Sequence, residues 1–90
     1  MILPLQNEDD IIKTAYALSS ETRIKIIRIL KKQKMTISEI AAKLNQTEAN
    51  ASTQVKILEK ADIITVEYAS GLHGLKKICS IEVDRLEINL

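Results

Sequence analysis

Apart from Pro4, glycine and proline are absent from this chain until Gly71. A stretch that long without the two residues that most readily interrupt regular structure has to be divided by polar caps, so it reads as a series of short helices. Both glycines, Gly71 and Gly74, lie in the last third, where apolar and polar residues alternate as they do in strands. The expected layout is helices first, then a hairpin. Ninety residues suit one compact unit spanning 1–90 rather than two. A chain of this size buries only about 60–65% of its unfolded surface, which makes a symmetric partner an expectation.

Residues 8–18 place Ile11, Ile12, Ala15 and Leu18 on a helical stripe. Asn7 is the cap, and Glu8, Asp9 and Asp10 sit where the positive end of a helix favours acids. Ser19 and Ser20 punctuate, and a second helix runs from Glu21 to about Lys34, with Ile24, Ile27 and Leu30 inward and Ile26 and Ile29 widening the stripe. Thr36-Ile37-Ser38-Glu39 fits a capping box and starts a third helix whose inner face is Ile37, Ile40, Ala41 and Leu44. Asn45 suits a left-handed stop. Gln46 and Thr47 form a short turn, Thr47 caps again, and a fourth helix extends to about Ala61.

Two helices joined by so short a turn, over residues 36–61, make a helix-turn-helix candidate. With Ala51, Val55 and Leu58 inside, Ala49, Asn50, Ser52, Thr53 and Lys56 point outward. Ile63 to Tyr68 and Leu75 to Ile81 form a hairpin across Gly71-Leu72-His73-Gly74, a wing covering about 63–82. The fold class is therefore mainly α with a small β-hairpin wing (α+β): a winged helix-turn-helix on a three- to four-helix core. Leu86, Ile88 and Leu90 read as one more strand with an unpaired apolar edge.

Thirteen basic against twelve acidic residues leave a net charge of +1, so local placement of charge has to decide what binds. One α-helix fits the major groove of DNA, and the fourth helix offers the side chains for it. Asn50 and Gln54 can pair bidentately with adenine, Thr53 and Ser52 can meet bases or phosphates, and Ala49 allows close approach; Gln46 and Thr47 stand at the entry to that face. A polar outer face is also what an ordinary surface helix shows. For phosphates the candidates are Thr36 and Ser38 at the start of the third helix, Lys56 beside the groove, and His73, Lys76 and Lys77 on the wing. Arg23, Lys25, Arg28, Lys31, Lys32 and Lys34 form a local basic run, which equally suits a solvated face. Catalysis has no support: Cys79 lies in a strand beside Ile78 and Ile81, the single His is in a turn, and neither has an orienting partner. One Cys and one His form no metal cluster, and no cofactor is expected. With no basic, apolar leader and no span of ~20 apolar residues, the expectation is a cytoplasmic protein that does not engage a membrane.

Ala17 to Leu30, Ile37 to Ala41, and Val55 to Ile64 together resemble the arsenical-repressor (ArsR/SmtB) family of winged-helix transcription regulators, a likeness covering roughly residues 15–80. The resemblance implies a homodimer, a recognition helix in the fourth position, and a near-palindromic operator in double-stranded DNA. Where arsenic- and cadmium-sensing members carry Cys-x-Cys, this chain has Thr36 and Ser38. The residues after Cys79 lack the carboxylate and His ligands of zinc sensors, so a non-metal-sensing type is implied. Thr53 and Gln54 replace the family's frequent Arg-His pair, and Asp62 replaces a Gly after the fourth helix. Gly71 to Ser80 with the alternating tail looks like a branch in which the winged helix is the N-terminal domain of a longer regulator. Ile11, Ile12 and Ala15 are the expected dimer contacts. The functional expectation is a sequence-specific DNA-binding regulator, with a winged-helix protein-interaction module as the alternative.

Overall fold

In the computed structural model, which describes residues 1–71 and 74–90, the chain runs β1 (Ile2–Leu5), α1 (Glu8–Leu18), α2 (Glu21–Lys32), β2 (Met35–Thr36), α3 (Ile37–Leu44), α4 (Glu48–Lys60), β3 (Thr65–Gly71), β4 (Gly74–Ser80) and β5 (Arg85–Ile88). Each helix start is set by a side chain within reach of its own first turn. The Asn7, Ser20, Thr36 and Thr47 side chains accept from the backbone N–H three residues on, and at Thr36 the Glu39 carboxylate returns the bond, completing the capping box. The stops are equally local. Asn45 adopts φ 55° and ψ 45°, ending α3 in the left-handed conformation, and Asp62 does the same after α4 with φ 58°.

The core is aliphatic, as the composition requires. Ile26, Ile40 and Leu58 are fully enclosed together with Ala17, and around them close Leu30, Met35, Ala41, Ala51, Val55, Ala61, Ile63, Ile64 and Cys79. Each large aliphatic side chain so enclosed contributes about 1.5–3 kcal/mol. All four helices and the base of the wing therefore converge on one point, and α4 meets it through Ala51, Val55 and Leu58, the side expected from its spacing.

Four elements differ from expectation. The second helix ends at Lys32 rather than Lys34, because Met35 turns into the core and Met35–Thr36 pairs with β4 opposite Cys79 and Ile78. Its buried line runs through Arg23, Ile26 and Leu30; Ile24, Ile27 and Ile29 are half-buried. The first strand of the wing begins at Thr65, since Ile63 and Ile64 are spent in the core, and it pairs with β4 from Thr65↔Ser80 to Gly71↔Gly74. The strand near the C-terminus is not unpaired on both sides. Ile2–Leu5, unforeseen as a strand, lies parallel to it with Leu3 opposite Leu86. The tie is reinforced by the Asp84 N–H donating to the Met1 carbonyl at 2.8 Å and the Asn89 N–H donating to Leu5 at 3.0 Å.

Candidate nucleic-acid interface

The helix-turn-helix brings the start of α3, the start of α4 and the second strand of the wing around one open cleft of about 620 Å³. Six of the expected contact residues line it: Thr36, Ser38, Ala49, Ser52, Lys76 and Lys77. Packing of α3 against α4 turns both helix starts toward the same space. Each of the two caps, Thr36 and Thr47, holds its helix with N–H groups directed outward from the first turn. Thr47 uses a lone pair for its cap and keeps a hydroxyl proton to give.

Two carboxylates temper this cleft. Ser38 donates its hydroxyl to Glu48 at 2.6 Å, so the expected phosphate contact is engaged within the protein. Glu39 also lines the cleft, and its pKa is lowered, first by the Thr36 backbone N–H and the Thr36 hydroxyl, and further by the Lys76 charge. Positive charge in the cleft comes from the wing lysines. Lys77 also stands 6.0 Å from the ring centre of the exposed Tyr68.

Beyond the cleft, the outer face of α4 carries the rest. Ala49, Thr53 and Lys56 are exposed, and Asn50, Ser52 and Gln54 are half-buried. Thr53 donates to the Ala49 carbonyl at 3.0 Å, which leaves it only lone pairs and a methyl group to offer. Gln46, Asn50 and Gln54, spaced four apart, are linked in a line: Asn50 Nδ2 donates to Gln46 Oε1, and Gln54 Nε2 donates to Asn50 Oδ1 at 3.3 Å. His73 lies outside the described residues.

Of the basic run on and just after α2, which equally suited a solvated face, only Arg23 is buried; Lys25, Arg28, Lys31, Lys32 and Lys34 are exposed. Arg23 is 6% exposed; its Nε donates to the Ala17 carbonyl and Nη2 to the Tyr16 carbonyl, both at 2.8 Å, while Nη1 donates to Gln54 Oε1 at 2.7 Å. Lys31 reaches Asp84 at 2.7 Å, and Lys25 pairs with Glu21 one turn back at 3.3 Å. Sequence reasoning missed Arg23 as a structural centre, although its spacing with Ile26 and Leu30 already put it on one helical line. The Glu48–Ser38 contact had no comparable signal, because it joins two helices across a turn.

Cys79 is fully buried, and burial pushes its thiol up to about 11, with Glu59 adding to the shift and Lys77 opposing it. No group of His, Cys, Asp and Glu that could hold a metal ion occurs among the described residues. On α1, Ile12 is 65% exposed, Ala15 is exposed and Ile11 is half-buried, with Tyr16 exposed beside them.

Residues 18–67 match a family model described as a helix-turn-helix domain. No curated protein matches by sequence. Among solved structures, the homodimeric winged helix-turn-helix DNA-binding domain from Mycobacterium bovis is similar at 18% identity, over 81% of this chain and 64% of that one, with a TM-score of 0.71. The transcriptional regulator HlyU from Vibrio vulnificus is similar at 18% identity, over 87% and 77%, with a TM-score of 0.68. An ArsR family transcriptional regulator is similar at 22% identity, over 81% and 76%, with a TM-score of 0.69. The shared architecture in each case is the winged helix-turn-helix.

Proposed function

This chain belongs to the helix-turn-helix domain family, and from that membership we propose that it regulates transcription as a homodimer reading a near-palindromic operator in double-stranded DNA through α4. The carrying observation is the open outer face of α4 beside a cleft bounded by the wing lysines Lys76 and Lys77. A groove about 12 Å wide admits one such helix, and base edges then meet Ala49, Asn50, Ser52 and Thr53, while Gln54 turns its oxygen to Arg23 and its N–H to Asn50. Thr36, Gln46, Thr47, Lys56, Lys76 and Lys77 serve the sugar-phosphate backbone, which carries affinity and its salt dependence, while Ser38 is held by Glu48. The flank of α1 containing Ile11, Ile12 and Ala15 forms the dimer contact, supported by the homodimeric state named for the Mycobacterium bovis domain. Two recognition helices would then lie about 34–36 Å apart, one helical turn of DNA.

Selection of duplexes from a random pool at two salt concentrations tests this reading, because DNA binding without sequence preference, or none at all, would overturn it. Asn50→Ala should relax preference at one base pair by about tenfold, the scale of a lost bidentate contact. Lys56→Ala should weaken all duplexes alike and reduce the log–log salt slope by about one. Equal losses on selected and shuffled duplexes for Asn50→Ala would remove it from base readout.

A protein-contact role is the second reading. It is favoured by the wing, where Leu75 is 73% and Tyr68 64% exposed. Binding of a partner protein with little salt dependence, in place of duplex binding, would select it.

A further inference from the structure

We propose that Arg23 is a specificity-determining positioning residue, which sets from inside the fold the donor and acceptor pattern that Asn50 offers to a base. This rests on the DNA-reading role of α4 given above. The guanidinium has no acceptor, so whatever it touches must present oxygen. Its Nε and Nη2 are held by the carbonyls of Ala17 and Tyr16 at the end of α1, where the helix dipole is negative, and the Tyr16 ring centre lies 4.9 Å from it. Nη1 is thereby aimed at Gln54, and Gln54 has to turn its amide oxygen inward to accept it.

The consequence travels along α4 by elimination. With its oxygen committed, Gln54 can offer only N–H to its neighbour, so Asn50 turns its oxygen toward Gln54 and its NH2 toward Gln46. Each amide in the line is oriented by the one before it, and the first is oriented by a charge that cannot reverse. Asn50 retains one N–H and one lone pair, in a fixed order, for the N7 and N6 groups of an adenine. Were the line free to flip, both orders would be populated and discrimination would fall. None of the three amides needs a changed contact with DNA for this; the effect is one of preorganisation.

Two substitutions separate positioning from folding. Arg23→Lys keeps the charge, but a single ammonium cannot span the α1 carbonyls and Gln54 together. Gln54→Glu keeps Arg23 satisfied by a stronger, charge-assisted bond, so the fold is retained. Its carboxylate has no proton for Asn50, which must then donate instead of accept, reversing the line. Affinity is measured for the tightest duplex selected by the wild-type chain and for a shuffled duplex of the same composition. The ratio of the two cancels the uniform repulsion that a new carboxylate exerts on DNA. In Arg23→Lys the ratio should fall about tenfold, the size of one bidentate contact. In Gln54→Glu it should fall similarly while the thermal midpoint holds, and reselection from the random pool should return a different base at the position that Asn50→Ala relaxes. Without DNA, the Asn50 side-chain amide protons should shift and exchange faster in Arg23→Lys. Ratios unchanged within about twofold in both variants would overturn the inference and leave α4 as the reading helix. A wild-type chain that selects no duplex would overturn both.

Discussion

At Thr36 one residue serves three tasks within a few ångströms. Its backbone pairs with β4 opposite Ile78, its hydroxyl accepts the Glu39 N–H at 3.2 Å, and its own N–H is held by the Glu39 carboxylate at 3.0 Å. Removing the hydroxyl opens the start of α3 and, with it, one wall of the cleft. Thr36→Ala should therefore cost about 1 kcal/mol in urea unfolding, and Thr36→Ser should restore most of it. An unchanged midpoint in Thr36→Ala would show that the strand pairing alone holds this helix start. The contrast with Arg23 is instructive at the same scale. Both residues are polar and half or fully enclosed, yet Thr36 satisfies neighbours three residues away, whereas Arg23 joins α1 to α4 over separations of 6 and 31 residues.

At the scale of elements, α1 is the helix with a conflict between its two sides. Ala17 and Thr14 are buried, but Ile12 at 65% and Tyr16 at 59% exposure lie open to water, and two large side chains so exposed on an 11-residue helix suggest a covered face. Ile12→Glu should convert a dimer into a monomer in sedimentation while helicity is retained, since the side chain supports no part of the core. A variant that stays dimeric would place the contact elsewhere. The helices themselves were legible in the sequence almost to the residue: α1 and its Asn7 cap, the capping box of α3, and the Asn45 and Asp62 stops all depend on chemistry inside a single turn. The C-terminal end of α2 was not, because Met35 leaves the helix to fill space that only the assembled sheet defines.

For the molecule as a whole, the decisive long-range tie is the parallel pair β1 and β5, which brings the two ends of the chain together beside α2. Asp84 secures it by accepting from Lys31 and from the Met1 amino group. Hydrogen bonds from Lys31 and the N-terminal ammonium, together with their charges, lower its carboxyl from an ordinary 3.8 to about 2. A depressed folded-state pKa contributes stability that is complete above the unfolded value and lost as pH falls through the folded one. The β1–β5 pair should thus be intact above about pH 4 and loosen toward pH 2. Amide spectra of residues 85–88 followed by acid titration check this, and Asp84→Asn should abolish the titration step. A step unaltered in Asp84→Asn would assign the acid response to another carboxylate.

What the sequence alone determined is everything governed by a few consecutive residues: where helices begin and, α2 apart, where they stop, which side of α4 is apolar, where the wing turns, and hence the helix-turn-helix itself. The tertiary structure decided which polar groups remain free to act. Arg23, Lys31 and Ser38 all read as available cations or donors, and each is bound by a partner distant in the chain or across a turn. Hydrogen-bond and charge partners are chosen by proximity in space, at a range of a few ångströms, and that proximity exists only after the core has brought α1, α2, α4 and the strand pair together.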